Sequence, residues 1–595
     1  MNNNHAMKEF FKTMFASVFG VLIAFGIIIF GGISFLIGMA LSSSSSAVYK
    51  PQANTVFKLT LSGTLSDQTT DDPFASLLGD DEEKLSLIDV IKAIRTAEKN
   101  DNIKGIYLDV KNLQGGFASF EAIHRELVNF KKSGKFIVSY GDTYGQGNYY
   151  LSSVADSILV NPQGSINLVG LASQGIFFKD LAAKLGVEFY IFKVGTYKSA
   201  VEPFFMDKFS DANREQLTSF LGSIWNNMTT GICESRNIPQ EKLMEFINSG
   251  ASLSETQAVI DSRLADKLCY RSEAETTIKR MAGQDMDKKL VTADIKKILS
   301  IKADEKEKKN KIAILYAEGE IKEDDSSLMG SMENVISEKM VKELNELAKD
   351  EDVKAVVFRV NSPGGSAYIS EQIWKAVTEV KAQKPIVVSM GDYAASGGYY
   401  ISCAANKIIA ERTTLTGSIG VFGVINNLAG TFKKLAVTTD VVKTNTYADL
   451  GDLSRPMRED EKALIQHKVE RTYDLFLTRC SDGRGLAKDS IDHIGQGRVW
   501  TGEQALERGL VDALGSLDDA IKEAASLADL SDYSVFKANT EKDFLSEYLE
   551  KMLGEAKLSI VKSYLGEEFA IYSTIENMKS LNGIQARMPY YMQGL

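Results

Sequence analysis

The sequence predicts an α/β fold made of two tandem repeats behind an N-terminal transmembrane helix. Three observations lead there. First, Gly141-Asp142-Thr143-Tyr144-Gly145-Gln146-Gly147-Asn148-Tyr149-Tyr150 and Gly391-Asp392-Tyr393-Ala394-Ala395-Ser396-Gly397-Gly398-Tyr399-Tyr400 are near copies, 250 positions apart. Second, both halves alternate short apolar runs with longer amphipathic segments, the pattern of repeated βαβ units and a mostly parallel sheet. Third, no charged residue occurs from 13 to 49, and 14–41 is almost wholly apolar.

Residues 1–13 carry Lys8 and Lys12, which by the positive-inside tendency place this end in the cytoplasm and the large body outside. As a helix, the run 14–41 rises roughly 40 Å, against a hydrocarbon core of about 30 Å. Ser45-Ser46-Ala47 resembles a signal-cleavage site. The apolar run nevertheless exceeds the about 7–15 residues of a cleavable signal, so an uncleaved anchor is expected. The serine-rich stretch 42–54 reads as a flexible stalk. The first α/β repeat is expected over 55–284 and the second over 311–530, joined by a charged linker, 285–310. Within them, the runs at 56–63, 104–110 and 136–140 parallel those at 312–319, 354–360 and 386–390. Double glycines follow at Gly115-Gly116 and Gly364-Gly365. The extension 531–595 has no counterpart in the first repeat, and packing or oligomer contact is expected of it rather than chemistry.

Net charge is −11, which argues against a nucleic-acid partner, since phosphate binding needs a basic face. Cys233, Cys269, Cys403 and Cys480 have no metal-ligand spacing and read as buried free thiols.

The repeats differ where chemistry would sit. Ser396 aligns with Gln146, and Lys198, in Lys193-Val194-Gly195-Thr196-Tyr197-Lys198, aligns with Ala448. A duplicated enzyme keeping a serine in one copy and a lysine in the other leaves this trace. Ser396 follows a strand and opens a helix among small residues, which expose a hydroxyl and set amide donors beside it. Asn361-Ser362-Pro363-Gly364-Gly365-Ser366 is a second such turn, fit to expose amides toward a carbonyl. Either turn alone is more often just a turn. A serine hydroxyl needs a base. None of the four histidines (His5, His124, His467, His493) lies in a glycine loop. A lysine serves when burial lowers its pKa, and Lys198 sits among small and aromatic residues. Ser418, in Thr416-Gly417-Ser418-Ile419-Gly420, is a candidate to orient that lysine, or equally a turn or cap serine.

Through Asn-Ser-Pro-Gly-Gly, Gly-Asp-x-Ala-Ala-Ser-Gly-Gly-Tyr-Tyr, Thr-Gly-Ser-Ile-Gly-Val-Phe-Gly and Gly-Thr-Tyr-Lys-Ser-Ala, residues 50–530 resemble the signal peptide peptidase A (protease IV) family in its long tandem-repeat form. That family lies in the Clp protease/crotonase superfamily. The resemblance implies two crotonase/Clp-protease-like repeats of ββα spiral units and a serine peptidase without cofactor or metal. In it, Ser396 is the nucleophile, Lys198 the general base and then acid, and Ser418 the residue that orients the lysine. Gly364, Gly365 and Gly397 then belong to the loops that supply the oxyanion hole. It further implies a homotetramer anchored by one span in the bacterial inner membrane, with its body in the periplasm, degrading signal peptides and other apolar peptides. Two rivals are a non-catalytic membrane scaffold on the same fold and a crotonase-type acyl-thioester hydrolase.

Overall fold

The computed structural model describes residues 48–68, 84–254, 256–301, 308–323, 335–538 and 583–588, together with 12, 14, 20 and 23. The anchor expected over 14–41 thus lies outside the described residues apart from three positions, and among the described residues no helix is long and apolar enough to cross a membrane.

Each half of the chain builds its own sheet around three long strands. In the first, Thr55–Ser66, Ile103–Gln114 and Phe136–Tyr144 lie side by side and parallel, extended by Ser157–Ile166. In the second, Lys311–Glu318, Val353–Ser362 and Ile386–Ala395 repeat that order and direction. The apolar runs aligned from sequence are these central strands. They are near-continuously apolar because helices cover both faces of a parallel sheet.

Helices Phe117–Lys131 and Ala367–Lys381 follow the two glycine pairs. Their apolar stripes, Phe120, Ile123, Leu127 and Phe130 in one and Ile369, Ile373, Val377 and Val380 in the other, are buried at threefold and fourfold spacing. Each such side chain contributes about 1.5–3 kcal/mol by leaving water. Two 26-residue helices, Asp211–Arg236 and Glu459–Arg484, occupy equivalent places further along. Within the charged stretch 285–310, Thr292–Ala293 pairs with the strand Thr55–Ser66, and Ile298 is fully buried. Backbone pairing and the apolar side chains of Ile295, Ile298, Leu299 and Ile301 hold this part of a charged segment against the first repeat.

A third, mixed sheet joins the halves. Glu188–Val194 from the first repeat runs antiparallel to Val421–Asn427 of the second over seven residue pairs. Polar contacts reinforce the junction. Arg359 grips Asp67 through two hydrogen bonds of 2.9 Å. Arg125 does the same to Glu411 at 2.8 and 2.7 Å. Ser119 donates its amide and its hydroxyl to Asp392, at 2.8 and 2.6 Å. Asp392 also explains Gly116: a Cβ there would meet the Asp392 carboxyl at 2.0 Å.

Candidate active site

Lys198 is carried to the second repeat by the strand Glu188–Val194. Its aromatic and β-branched residues, Phe189, Tyr190, Ile191 and Phe192, suit a pleated ladder. Past the strand, Gly195 turns at φ +108, and a Cβ there would collide with the Gln496 backbone at 2.5 Å. The Tyr197 amide donates to the Gln496 carbonyl at 2.8 Å. Gln216 braces the loop from the helix Asp211–Arg236, donating to the Tyr197 carbonyl and to Ser199 Oγ, both at 3.0 Å. These contacts fix the lysine backbone and leave the side chain pointing inward.

Ser396 ends the strand Ile386–Ala395 and caps the helix Gly397–Ser402. Its backbone sits at φ +57, ψ −112, a strained setting for a residue with a Cβ, of order 1–3 kcal/mol. The surroundings hold it there, because the Ser396 amide donates to the Gly417 carbonyl at 2.8 Å. The next residue along, Ser418, also has positive φ (+49), and its amide donates to the Arg498 carbonyl at 2.7 Å. The two serines therefore share one short tether through Gly417.

All three side chains are fully buried. Lys198 Nζ lies 2.7 Å from Ser396 Oγ, 3.1 Å from Ser418 Oγ and 3.2 Å from the Ser418 carbonyl, within one chain. No carboxylate is among these contacts. Burial with no counter-charge holds the lysine pKa well below its ordinary 10.5. Among the described residues no histidine hydrogen-bonds to Ser396; His124, buried and stacked on Tyr150, belongs to the first repeat's own core.

The glycine turns flank the serine. Gly364 and Gly365 have φ +98 and +155, and a Cβ on Gly365 would strike the Ile321 carbonyl oxygen at 1.9 Å. A Cβ on Gly364 would lie 2.7 Å from the Gly397 amide nitrogen, so the two turns meet. The Gly364 amide donates to Ser362 Oγ at 3.2 Å. The structure thus gathers Ser396, Lys198, Ser418, Gly364, Gly365 and Gly397 into one cluster.

Their counterparts do other things. Gln146 accepts the Val169 and Gly170 amides at 3.1 and 2.9 Å and pins a loop. Ala448 lies in an exposed stretch, and the neighbouring Lys443 pairs with Asp449 at 2.9 Å.

Two features of the site went unread in the sequence. One is Gly495-Gln496-Gly497, where a Cβ on Gly497 (φ +77) would meet Lys198 Cβ and its amide nitrogen at 2.7 Å. Gly497→Ala is therefore expected to push Lys198 out of register and lower kcat/KM about 10²-fold, the cost of an ångström-scale misplacement. Steady-state cleavage of a peptide beside a circular-dichroism melt checks this; wild-type kcat/KM would refute it. The glycine spacing was visible, but nothing local tied it to residue 198. The other feature is a strand from the C-terminal extension, Gly583–Arg587, which enters the mixed sheet beside Gly364–Ser366.

Comparison with known proteins places the chain in a family. The sequence model described as "Peptidase family S49" matches twice, over residues 129–285 and 378–531, and that for Clp protease matches 304–419. Protease 4 of Salmonella typhi is 37% identical over 480 residues, covering 79% of this chain and 77% of its own. Protease 4 of Haemophilus influenzae is 35% identical over 514 residues, with 83% and 82% covered. The chloroplastic serine protease SPPA of Arabidopsis thaliana is 31% identical over 540 residues, with 90% and 77% covered. With each repeat matched and relatives aligned over most of their length, the chain belongs to peptidase family S49 and is a serine protease.

Proposed function

We propose that Ser396 and Lys198 are a catalytic dyad that cleaves apolar peptides, signal peptides foremost. The 2.7 Å contact between a buried hydroxyl and a buried amine without counter-charge carries the reading. A neutral amine has two N–H donors and one lone pair. Ser418 Oγ and the Ser418 carbonyl accept the two donors, so the lone pair faces the Ser396 hydroxyl. As Oγ attacks the scissile carbonyl, Lys198 takes its proton and then delivers it to the leaving amine. Ser418 holds the amine in place. The Gly397 amide and the glycine pair stabilise the oxyanion; because the Gly364 amide is engaged by Ser362, Gly365 is the better donor of the two. Water then hydrolyses the acyl-enzyme, with Lys198 as base again.

Signal peptides as substrates are supported by a relative of Enterococcus faecium, 34% identical over 247 residues, that is named a putative signal peptide peptidase SppA. The uncharged run 14–41 supports a single membrane anchor with the body on the periplasmic side, where processed signal peptides remain in the bilayer. A homotetramer fits the exposed apolar residues Leu435, Val437, Val441 and Val442.

Cleavage of a synthetic signal peptide by the full chain in detergent tests the proposal. Activity is expected to rise with pH as Lys198 loses its proton, since only the neutral amine accepts one. Because burial depresses that pKa, the rise should be complete well below pH 10.5. A pH–rate profile that shows no rise anywhere below pH 10.5 would exclude Lys198 as base.

A further inference from the structure

The lysine loop and the Ser418 turn come from different repeats, and one residue grips both. Leu415–Gly417 pairs antiparallel with Val499–Thr501, and hydrogen bonds continue beyond this ladder. There the Ser418 amide donates to the Arg498 carbonyl, and the Gly497 amide to the Ile419 carbonyl, both at 2.7 Å. The main chain of Arg498 thus belongs to the turn that sets Ser418 against Lys198.

Its side chain reaches the other repeat. Arg498 Nη1 donates to the Tyr197 hydroxyl at 3.0 Å and pairs with Glu215 at 2.7 Å. The Tyr197 hydroxyl donates in turn to Glu215 at 3.0 Å, closing a triangle of polar contacts. The guanidinium also stacks on Tyr197 and Trp500, 4.7 and 4.3 Å from their ring centroids. Tyr197 precedes Lys198 in the chain, so fixing its ring fixes where the lysine side chain begins.

Two features set this contact apart from ordinary packing. Arg498 Nε is buried without an acceptor among the described residues, an arrangement that costs stability. The second is a difference between the repeats. Leu510-Val511-Asp512 matches Leu264-Ala265-Asp266, the leucine amide donating five residues back in each, to Ala505 and to Val259. Counted back from there, Arg498 falls opposite Ser252, which donates to the Leu168 carbonyl at 3.2 Å. Leu168 stands where the second repeat has Ser418. The arginine therefore occurs in the copy that keeps both serines and is missing from the copy that lacks them.

We propose that Arg498 is a positioning residue for this protease, clamping Tyr197 to the Ser418 turn so that Lys198 stays within reach of Ser396 and shut off from water. The inference rests on the Ser396/Lys198 reading above. Lys198 Nζ meets the two serines, and the charged side chains around the clamp are Arg498, Glu215 and Arg508, the last stacked on Trp500 at 3.8 Å. Loosening the clamp lets the amine drift from Ser396 and admits water, which favours its charged form.

The test is the pH profile of kcat and KM for a synthetic signal peptide, with the full chain in detergent. Arg498→Met, Tyr197→Phe, their double variant and Lys198→Met are compared with the wild type. Arg498→Met should lower kcat about 10²-fold and leave KM within about twofold. Its half-maximal pH should move upward, toward the ordinary lysine value of 10.5. Tyr197→Phe keeps both charges, so an upward shift there, with a smaller loss of kcat, reports the clamp itself. The double variant should match Arg498→Met, since the two residues act through one contact. Should Arg498→Met fail to fold, the midpoint of Tyr197→Phe decides alone. Activity retained in Lys198→Met sinks the dyad and the clamp together. With Lys198→Met inactive, three results overturn the clamp and leave the dyad standing: wild-type kinetics, a lower kcat at an unmoved midpoint, or losses that add in the double variant.

Discussion

Ser396→Ala is expected to lower kcat for peptide cleavage by about 10³–10⁶-fold, and Lys198→Met by a similar factor. In the proposed dyad the hydroxyl is the attacking atom and the amine, 2.7 Å away, is its hydrogen-bond partner. Removing either stops acyl-enzyme formation, so the double variant should be no slower than the worse single one, a non-additivity that marks groups acting as a unit. Steady-state kinetics on one peptide with all three proteins decides it. If Lys198→Met kept most of its activity, the base would have to be sought elsewhere. The lysine variant has a second expected signature, in stability. A buried amine with depressed pKa binds its proton less readily folded than unfolded. Between that depressed pKa and the unfolded value near 10.4, the wild type gains stability as pH rises, by about 1.4 kcal/mol per pH unit. Lys198→Met has no such group and should lose that slope, which thermal melts taken across pH will show.

Asp67→Ala is expected to destabilise the fold by about 3–5 kcal/mol. Asp67 and Arg359 are 1% and 5% exposed, and they tie the first repeat to the second strand of the other repeat's sheet. Removing the carboxylate strands a buried guanidinium, which also donates to Ser389 Oγ and the Met390 carbonyl at 3.0 and 2.8 Å. Those two neutral acceptors do not balance its charge. Replacing the pair together, as Asp67→Leu with Arg359→Met, should recover much of the loss, because an apolar pair of similar volume carries no desolvation penalty. Denaturant unfolding of both variants beside the wild type measures this. A single variant within 1 kcal/mol of wild type would mean that the pair contributes little to holding the repeats together.

Much of this was legible along the chain, because it depends on local chemistry. Apolar runs bounded by glycine report strands directly, and duplication shows how two sheets repeat one order. The same comparison exposed Ser396 and Lys198, since a change between copies is visible without coordinates. Conformation at a turn is legible too, as with Gly364 and Gly365, because positive φ selects glycine. Other features depended on which segments meet. Gly497 makes room for Lys198 from 299 positions away, and Ser418 reaches that lysine across 220. The strand Gly583–Arg587 pairs mainly through backbone groups, which every sequence possesses, so its place beside Gly364 left no mark in its residues. The sequence by itself determined the α/β class, the repeat and the two side chains proposed as the dyad. Only the tertiary structure decided that the strand Glu188–Val194 joins the other repeat in the mixed sheet, that the lysine is buried between two serines, and that the C-terminal strand lies beside Gly364–Ser366. The physical reason is that periodicity and turn chemistry act between near neighbours, whereas desolvation and strand pairing depend on whatever the folded chain brings alongside.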